Sequence, residues 1–121
     1  MALFRCGAGS DGINYDVLAK QSAGNSATFP TVTYTADATG KKKLVFSLHS
    51  SGSNNNPAVN ATITKNGTSI LSDCYDLTPD DVHSTKVYLA DVDLNAGDII
   101  SIGGNLGSTA VSYLVSAIIK I

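Results

Sequence analysis

Tryptophan and glutamate are missing from this chain, cysteine occurs twice, and charged residues make up only 15% of it. Each shortage removes something. Without tryptophan the strongest flat platform for stacking a sugar ring is gone. With all ten acidic residues aspartate, no glutamate is available to close a calcium loop by bidentate ligation. Those aspartates lie mostly in turn-like segments, where nothing calls for the paired carboxylates of a glycosidase. Cys6 and Cys74 do not make a disulfide framework, a C-x-x-C redox pair is absent, and reduced thiols are the expectation. No stretch approaches the ~20 apolar residues that cross a bilayer as a helix. A G-x-S-x-G elbow is also lacking, and the only histidines, His49 and His83, have no evident catalytic partners. An enzyme is therefore not expected, nor is any cofactor.

Serine, threonine, asparagine and glycine take the place of charge, a composition of short strands and polar turns. A net charge of −2 offers no general attraction for nucleic acid or an anionic membrane. The one basic run, Lys41-Lys42-Lys43, leads straight into an apolar alternation and reads as a solvated strand edge. Residues 1–11 lack the apolar segment of a secretory signal, so synthesis in a host cytoplasm without export is expected. The Asn60 and Asn66 sequons then read as strand and turn chemistry rather than glycosylation.

At 121 residues the chain can build one core. No helical period runs through it; alternation does, and alternation puts every second side chain on one face of a strand. The inward sets read Ile13, Tyr15, Val17, Ala19; Val32, Tyr34, Ala36; Leu44, Phe46, Leu48; Val59, Ala61, Ile63; and Tyr88, Ala90, Val92, Leu94. Thr31, Thr33 and Thr35 face the other way from the second set. Asn66-Gly67 is a strong hairpin signal, and Asn95-Ala96-Gly97-Asp98 marks a turn before a short strand at residues 99–102. In the last segment one face is wholly apolar, Val111, Tyr113, Val115, Ala117, Ile119 and Ile121, and is expected to be core. The other mixes Leu114 and Ile118 with Ser112, Ser116 and Lys120, a composition suited to a subunit contact.

About eight such strands, joined in places by long polar loops at residues 50–57 and 78–84, predict an all-β antiparallel sandwich of jelly-roll type. The predicted core comprises Val17, Val32, Tyr34, Leu44, Phe46, Leu48, Val59, Ile63, Tyr88, Val92, Ile100, Ile102, Val111, Tyr113, Val115 and Ile119. Residues 11–121 form the single domain, and residues 1–10 an arm in which Leu3 and Phe4 are the anchoring side chains. Such an arm is expected to dock on a neighbouring subunit, or else to add an edge strand to its own sheet.

Asp91, Asp93, Asn95 and Asp98 have the alternate spacing of a calcium loop, yet Ala96 stands where that loop needs glycine, and strand followed by turn is the better reading. For ligand binding, the amides of Asn54, Asn55 and Asn56 and the ring of Tyr75 are the candidates, against a plain crossover loop.

Lys86-Val87-Tyr88-Leu89, then Leu94 through Ile102 with its L-x-x-G-D turn, then the apolar final strand, resemble the small jelly-roll modules of bacteriophage tail-fibre and receptor-binding proteins. They are more loosely similar to trimeric C1q/TNF-like sandwiches. The opening residues 1–7 look like the starts of phage and prophage structural proteins. That resemblance implies a non-enzymatic virion protein, tail-associated, in a homo-oligomer (a trimer for preference), beside other virion proteins and able to touch a cell-surface glycan. A bacterial carbohydrate-binding module or a capsid decoration protein is the alternative.

Overall fold

The computed structural model describes residues 16–51, 58–76, 83–106 and 111–121. Eight strands run through them: β1 (Asp16–Ser26), β2 (Thr28–Thr35), β3 (Gly40–Ser51), β4 (Ala58–Lys65), β5 (Thr68–Asp76), β6 (His83–Leu94), β7 (Ile99–Asn105) and β8 (Val111–Lys120). They form two four-stranded sheets, in the orders β1-β8-β3-β6 and β2-β7-β4-β5, with every neighbouring pair antiparallel. The pairing is nested: β4 with β5, β3 with β6, β2 with β7 and β1 with β8. One long hairpin, tipped at Asn66-Gly67, has been rolled into a sandwich, which is the jelly roll expected. The tip has the geometry its residues favour, with φ of 52° at Asn66 and 82° at Gly67. The expected arm, with Leu3 and Phe4, lies outside the described residues.

The alternation in β3 holds without exception. Leu44, Phe46 and Leu48 are fully buried, as are Val59, Ala61 and Ile63 of β4 and Ile100 and Ile102 of β7. Phe29, flanked by threonine and proline and absent from the expected core, is buried too. Lys41 and Lys43 begin β3, which is a central strand and not an edge. They stand opposite Asp93 and Asp91 of β6, so cross-strand pairing as well as solvent accommodates the basic run.

Val111 is core as expected, but from Tyr113 onward the last strand is turned over relative to expectation. Leu114, Ser116 and Ile118 point into the core and are buried, while Tyr113 is 44% exposed and Val115 and Ile119 are half-buried on the outside. Register explains this. Directly opposed residues share a face, and β8 sets Ser116 against Leu48 and Ile118 against Phe46. Once β3 commits its leucines and phenylalanine inward, the even residues of β8 must follow. Leu114 and Ile118 therefore belong to the core of a single chain and leave the expected subunit contact. Val17 is corrected for a related reason. A bulge between Val17 and Ala19 breaks the period, leaves Val17 54% exposed and lets Leu18 and Ala19 pack on the core.

Ser116 brings a buried hydroxyl that has no hydrogen-bond partner among the described residues. Such a group loses its water and gains nothing in return, at about 1–3 kcal/mol. Ser116→Ala keeps the volume and removes the orphan, so it should stabilise the fold by roughly 1 kcal/mol. A urea midpoint that falls instead would show that the hydroxyl is satisfied.

Candidate functional site

Two places gather polar side chains. The first is an inter-strand clasp at one open side of the sandwich, where edge strands β5 and β6 approach. Tyr88 donates its hydroxyl to Asp73 Oδ2 at 2.8 Å, and Lys86 Nζ lies 3.8 Å from the same oxygen. The Lys86 ammonium also sits 5.4 Å from the ring centroid of Tyr75 and 5.9 Å from that of Tyr88. Burial, and then the charge of Asp73, push the Tyr75 phenol up to about 12. Tyr88 is pushed up further, first by burial and then by its bond to Asp73. Both phenols thus stay protonated, and Tyr88 remains a donor. Tyr75 was expected to offer an open stacking face. It sits instead on the inward side of β5, packed against the core with a cation over its ring. Its companions Asn54, Asn55 and Asn56 lie outside the described residues.

The second place is the outer face of the β2-β7-β4-β5 sheet. Register sets Asn60 between Asn105 and Cys74, Thr62 between Gly103 and Ser72, and Thr64 beside Ser101 and Ser69, with Thr33 beyond Ser101. Thr31 leans over Gly103: a Cβ there would stand 2.8 Å from the Thr31 hydroxyl oxygen. At Gly104, on the inner side, a Cβ would meet the Asn60 carbonyl at 2.9 Å and Phe29 at 3.4 Å, so close strand packing requires glycine. Hydroxyls meet across strands at Thr64 Oγ1 and Ser101 Oγ, 2.6 Å apart, and within β5 at Ser69 Oγ and Ser72 Oγ, 3.1 Å apart. A shallow depression between β4 and β5 is lined by the outward Asn60, Thr62, Ser72 and Cys74, and by Ala61 and Asp73, which register sets on the inward side. None of these outward residues carries a charge; Asp76, opposite Ala58, marks the end of the face. The face can donate and accept hydrogen bonds at many points and exerts little electrostatic pull. Sequence reading had Thr31, Thr33 and Thr35 outward, but only strand order brings them beside Ser101, Thr62 and Thr64.

The acidic residues expected to have a calcium-like spacing do not converge. Asp91 and Asp93 project from β6 toward Lys43 and Lys41, while Asp98 turns to the loops. Asp98 accepts the Asn95 N–H at 2.8 Å and the Asn66 amide at 3.0 Å, and Lys65 lies 3.8 Å away. Asn66 in turn accepts the Ile99 N–H at 2.8 Å. Among the described residues no cluster of three histidine, cysteine or acidic side chains could hold a metal. The hydrogen bond from Asn95, then that from Asn66, hold the Asp98 carboxyl below its ordinary 3.8. A lowered pKa means stability that is present above the ordinary value and is lost as pH falls through the lowered one. Asp98→Ala should therefore melt lower than the parent at neutral pH, with the gap closing as pH drops below about 4. A gap that stays constant to pH 2 in a melting series would dissociate the effect from ionisation.

His49, on the outer face of β3, has its Nδ1 2.7 Å from Thr85 Oγ1 across the ladder.

No family profile matches the chain, and no curated protein does. Among solved structures it is similar to the globular domain of zebrafish complement 1qA protein, at 24% identity over 71% of this chain and 65% of that one, with a TM-score of 0.48. It is similar to a family 35 carbohydrate-binding module from Clostridium thermocellum, at 14% identity over 88% of this chain and 98% of that one, with a TM-score of 0.52. A family 4 carbohydrate-binding module (CBM4) gives 15% identity over 74% and 59% of the two chains, with a TM-score of 0.50. The chain thus spans nearly the whole of the Clostridium module and less than two thirds of the other two. What it shares with the two carbohydrate-binding modules is the fold, a β-sandwich.

Proposed function

We propose that this chain is a non-catalytic module that binds neutral glycans on the outer face of the β2-β7-β4-β5 sheet. The observation that carries this reading is the charge-free rank of hydroxyls and amides from Thr31, Thr33, Ser101, Thr62, Thr64 and Asn60. A sugar presents donors and acceptors at ~3 Å intervals and no charge, so such a face suits it and suits nucleic acid or acidic peptide badly. The likeness in fold to a protein named as a carbohydrate-binding module supports the same reading. A virion surface module that meets host glycans is the setting in which this face agrees with the sequence expectation. The virion part of that expectation drew on Lys86 through Ile102 and the final strand, and also on residues 1–7, which lie outside those described.

Affinity should be low. Each neutral hydrogen bond contributes about 0.5–1.5 kcal/mol net, association costs several, and the face has no exposed aromatic ring among the residues named. A dissociation constant near ~1 mM, almost insensitive to salt, is expected for the best neutral oligosaccharide on a glycan panel. Thr62→Val removes one hydroxyl at constant shape and should weaken binding roughly tenfold. The measurement is NMR titration of backbone amides. Perturbations confined to the other sheet, or none with any neutral sugar at ~20 mM, would sink the proposal.

A further inference from the structure

We propose that Asn66 is a site of covalent self-modification: its side-chain amide latches one end of the sandwich, and conversion of that amide to a carboxylate opens the latch irreversibly. The inference concerns the β4–β5 tip and owes nothing to the glycan reading.

Asn66-Gly67 is the one Asn-Gly pair in the chain. A glycine after asparagine leaves the next peptide nitrogen unshielded, and that nitrogen is the nucleophile of deamidation. The Gly67 nitrogen attacks Cγ, the side-chain carbonyl carbon of Asn66. The new C–N bond closes a cyclic imide, the bond to Nδ2 breaks, and ammonia leaves with the proton shed by the Gly67 N–H. Water then adds across either C–N bond of the imide ring, giving an aspartyl or an isoaspartyl residue. Water is the only co-reactant, and nothing is oxidised or reduced. The tip is open to solvent: a Cβ at Gly67 would meet nothing within 4 Å.

The fold holds the amide away from this reaction. Asn66 Oδ1 accepts the Ile99 N–H at 2.8 Å, and Nδ2 donates to Asp98 Oδ1 at 3.0 Å. The partners fix which end is which, since an N–H needs an acceptor and a carboxylate needs a donor. The Asn66 N–H also donates to the Ile99 carbonyl, at 2.7 Å. Closing the imide turns Cγ toward its own chain and away from β7, which breaks both side-chain bonds. Modification is therefore limited by local opening of this corner.

The latch secures a junction of three connections. Asp98 also accepts the Asn95 N–H at 2.8 Å, and its carbonyl accepts the Ala36 N–H at 2.8 Å. The β2–β3 connection, the β4–β5 tip and the β6–β7 turn so meet at one residue. After deamidation a second carboxylate faces Asp98 Oδ1 where a donor stood, and the two charges repel. Lys65, 3.8 Å from the other oxygen and bonded to the Asp93 carbonyl, does not replace that donor. The isoaspartyl form also adds an atom to the backbone, which spoils the two-residue geometry of the tip.

The test ages the full 121-residue chain at neutral pH, folded in buffer and unfolded in urea, with peptide mass spectrometry reading position 66. The folded chain should convert at least ~tenfold more slowly than the unfolded one, because a closed corner opens rarely. Asp98→Ala removes the Nδ2 partner and should raise the rate at least ~threefold while the chain keeps its strand spectrum. Asn66→Asp mimics the product and should melt about 4 °C or more below the parent. Adding Asp98→Asn to it restores one donor and one carboxylate across the corner and should recover at least about half of that loss. Equal rates folded and unfolded, a folded rate that Asp98→Ala leaves unchanged, or an Asn66→Asp chain that melts with the parent would each overturn the proposal. So would a combined variant no more stable than Asn66→Asp alone.

Discussion

Phe46→Ala is expected to cost about 3–5 kcal/mol, the range for truncating a fully buried phenylalanine. Phe46 sits at the middle of the central strand β3, with Ile118 directly opposite on one side and Tyr88 on the other. A void there has rigid ladders on both sides and cannot collapse far, which favours the upper half of that range. A domain of this size has about 5–15 kcal/mol in all, so the variant should stay folded at 25 °C with a much reduced urea midpoint. A loss below 1 kcal/mol in equilibrium unfolding would mean that Phe46 is not core.

The second large effect separates the observed orientation of β8 from the expected one. Leu114→Asp should leave the chain unfolded at neutral pH, because Leu114 is fully buried and faces Ser50, itself buried. The change removes a packed leucine, worth about 2–5 kcal/mol, and adds the several kcal/mol of burying an unpaired carboxylate. Were Leu114 on a subunit contact, the same change would lower assembly and spare the fold. Tyr113→Asp, one residue earlier and 44% exposed, is the control and should retain the strand spectrum. A folded Leu114→Asp protein with an unfolded Tyr113→Asp protein would reverse the assignment of the two faces.

These contrasts mark the limit of what alternation can say. In β3 and β4 one set of side chains is apolar and the other polar, so the period fixes the inward face by itself. In β8 both sets are apolar enough to be buried. The choice is then made by the register against β3, a relation between segments more than sixty residues apart. The same holds for Lys41 to Lys43: a strand was legible in the alternation of Leu44, Phe46 and Leu48, while its central place depends on β8 arriving on its other side. The bulge after Val17 left no mark in the sequence that a count of apolar residues could detect. At the candidate glycan face the outward threonines of β2 could be read directly. Their alignment with β7 and β4 could not, because strand order is a property of the whole fold. Tyr75 was misplaced for a local reason: a register shift between Ile63 and Thr64 resets the parity of β5.

The nested pairing has a consequence in time. The two-residue tip at Asn66-Gly67 joins neighbours and can close in microseconds, whereas each further pair, β3 with β6, β2 with β7, β1 with β8, must span a longer stretch of chain. Loop-closure entropy rises with every step outward, and folding dominated by such distant pairings runs in milliseconds to seconds. Because β8 fills the gap between β1 and β3, the first sheet remains two separate pieces until the last strand of the eight has been made. Ribosome-bound intermediates should therefore expose the apolar edges of β1 and β3 throughout synthesis, and the barrier to folding should fall only when β8 emerges.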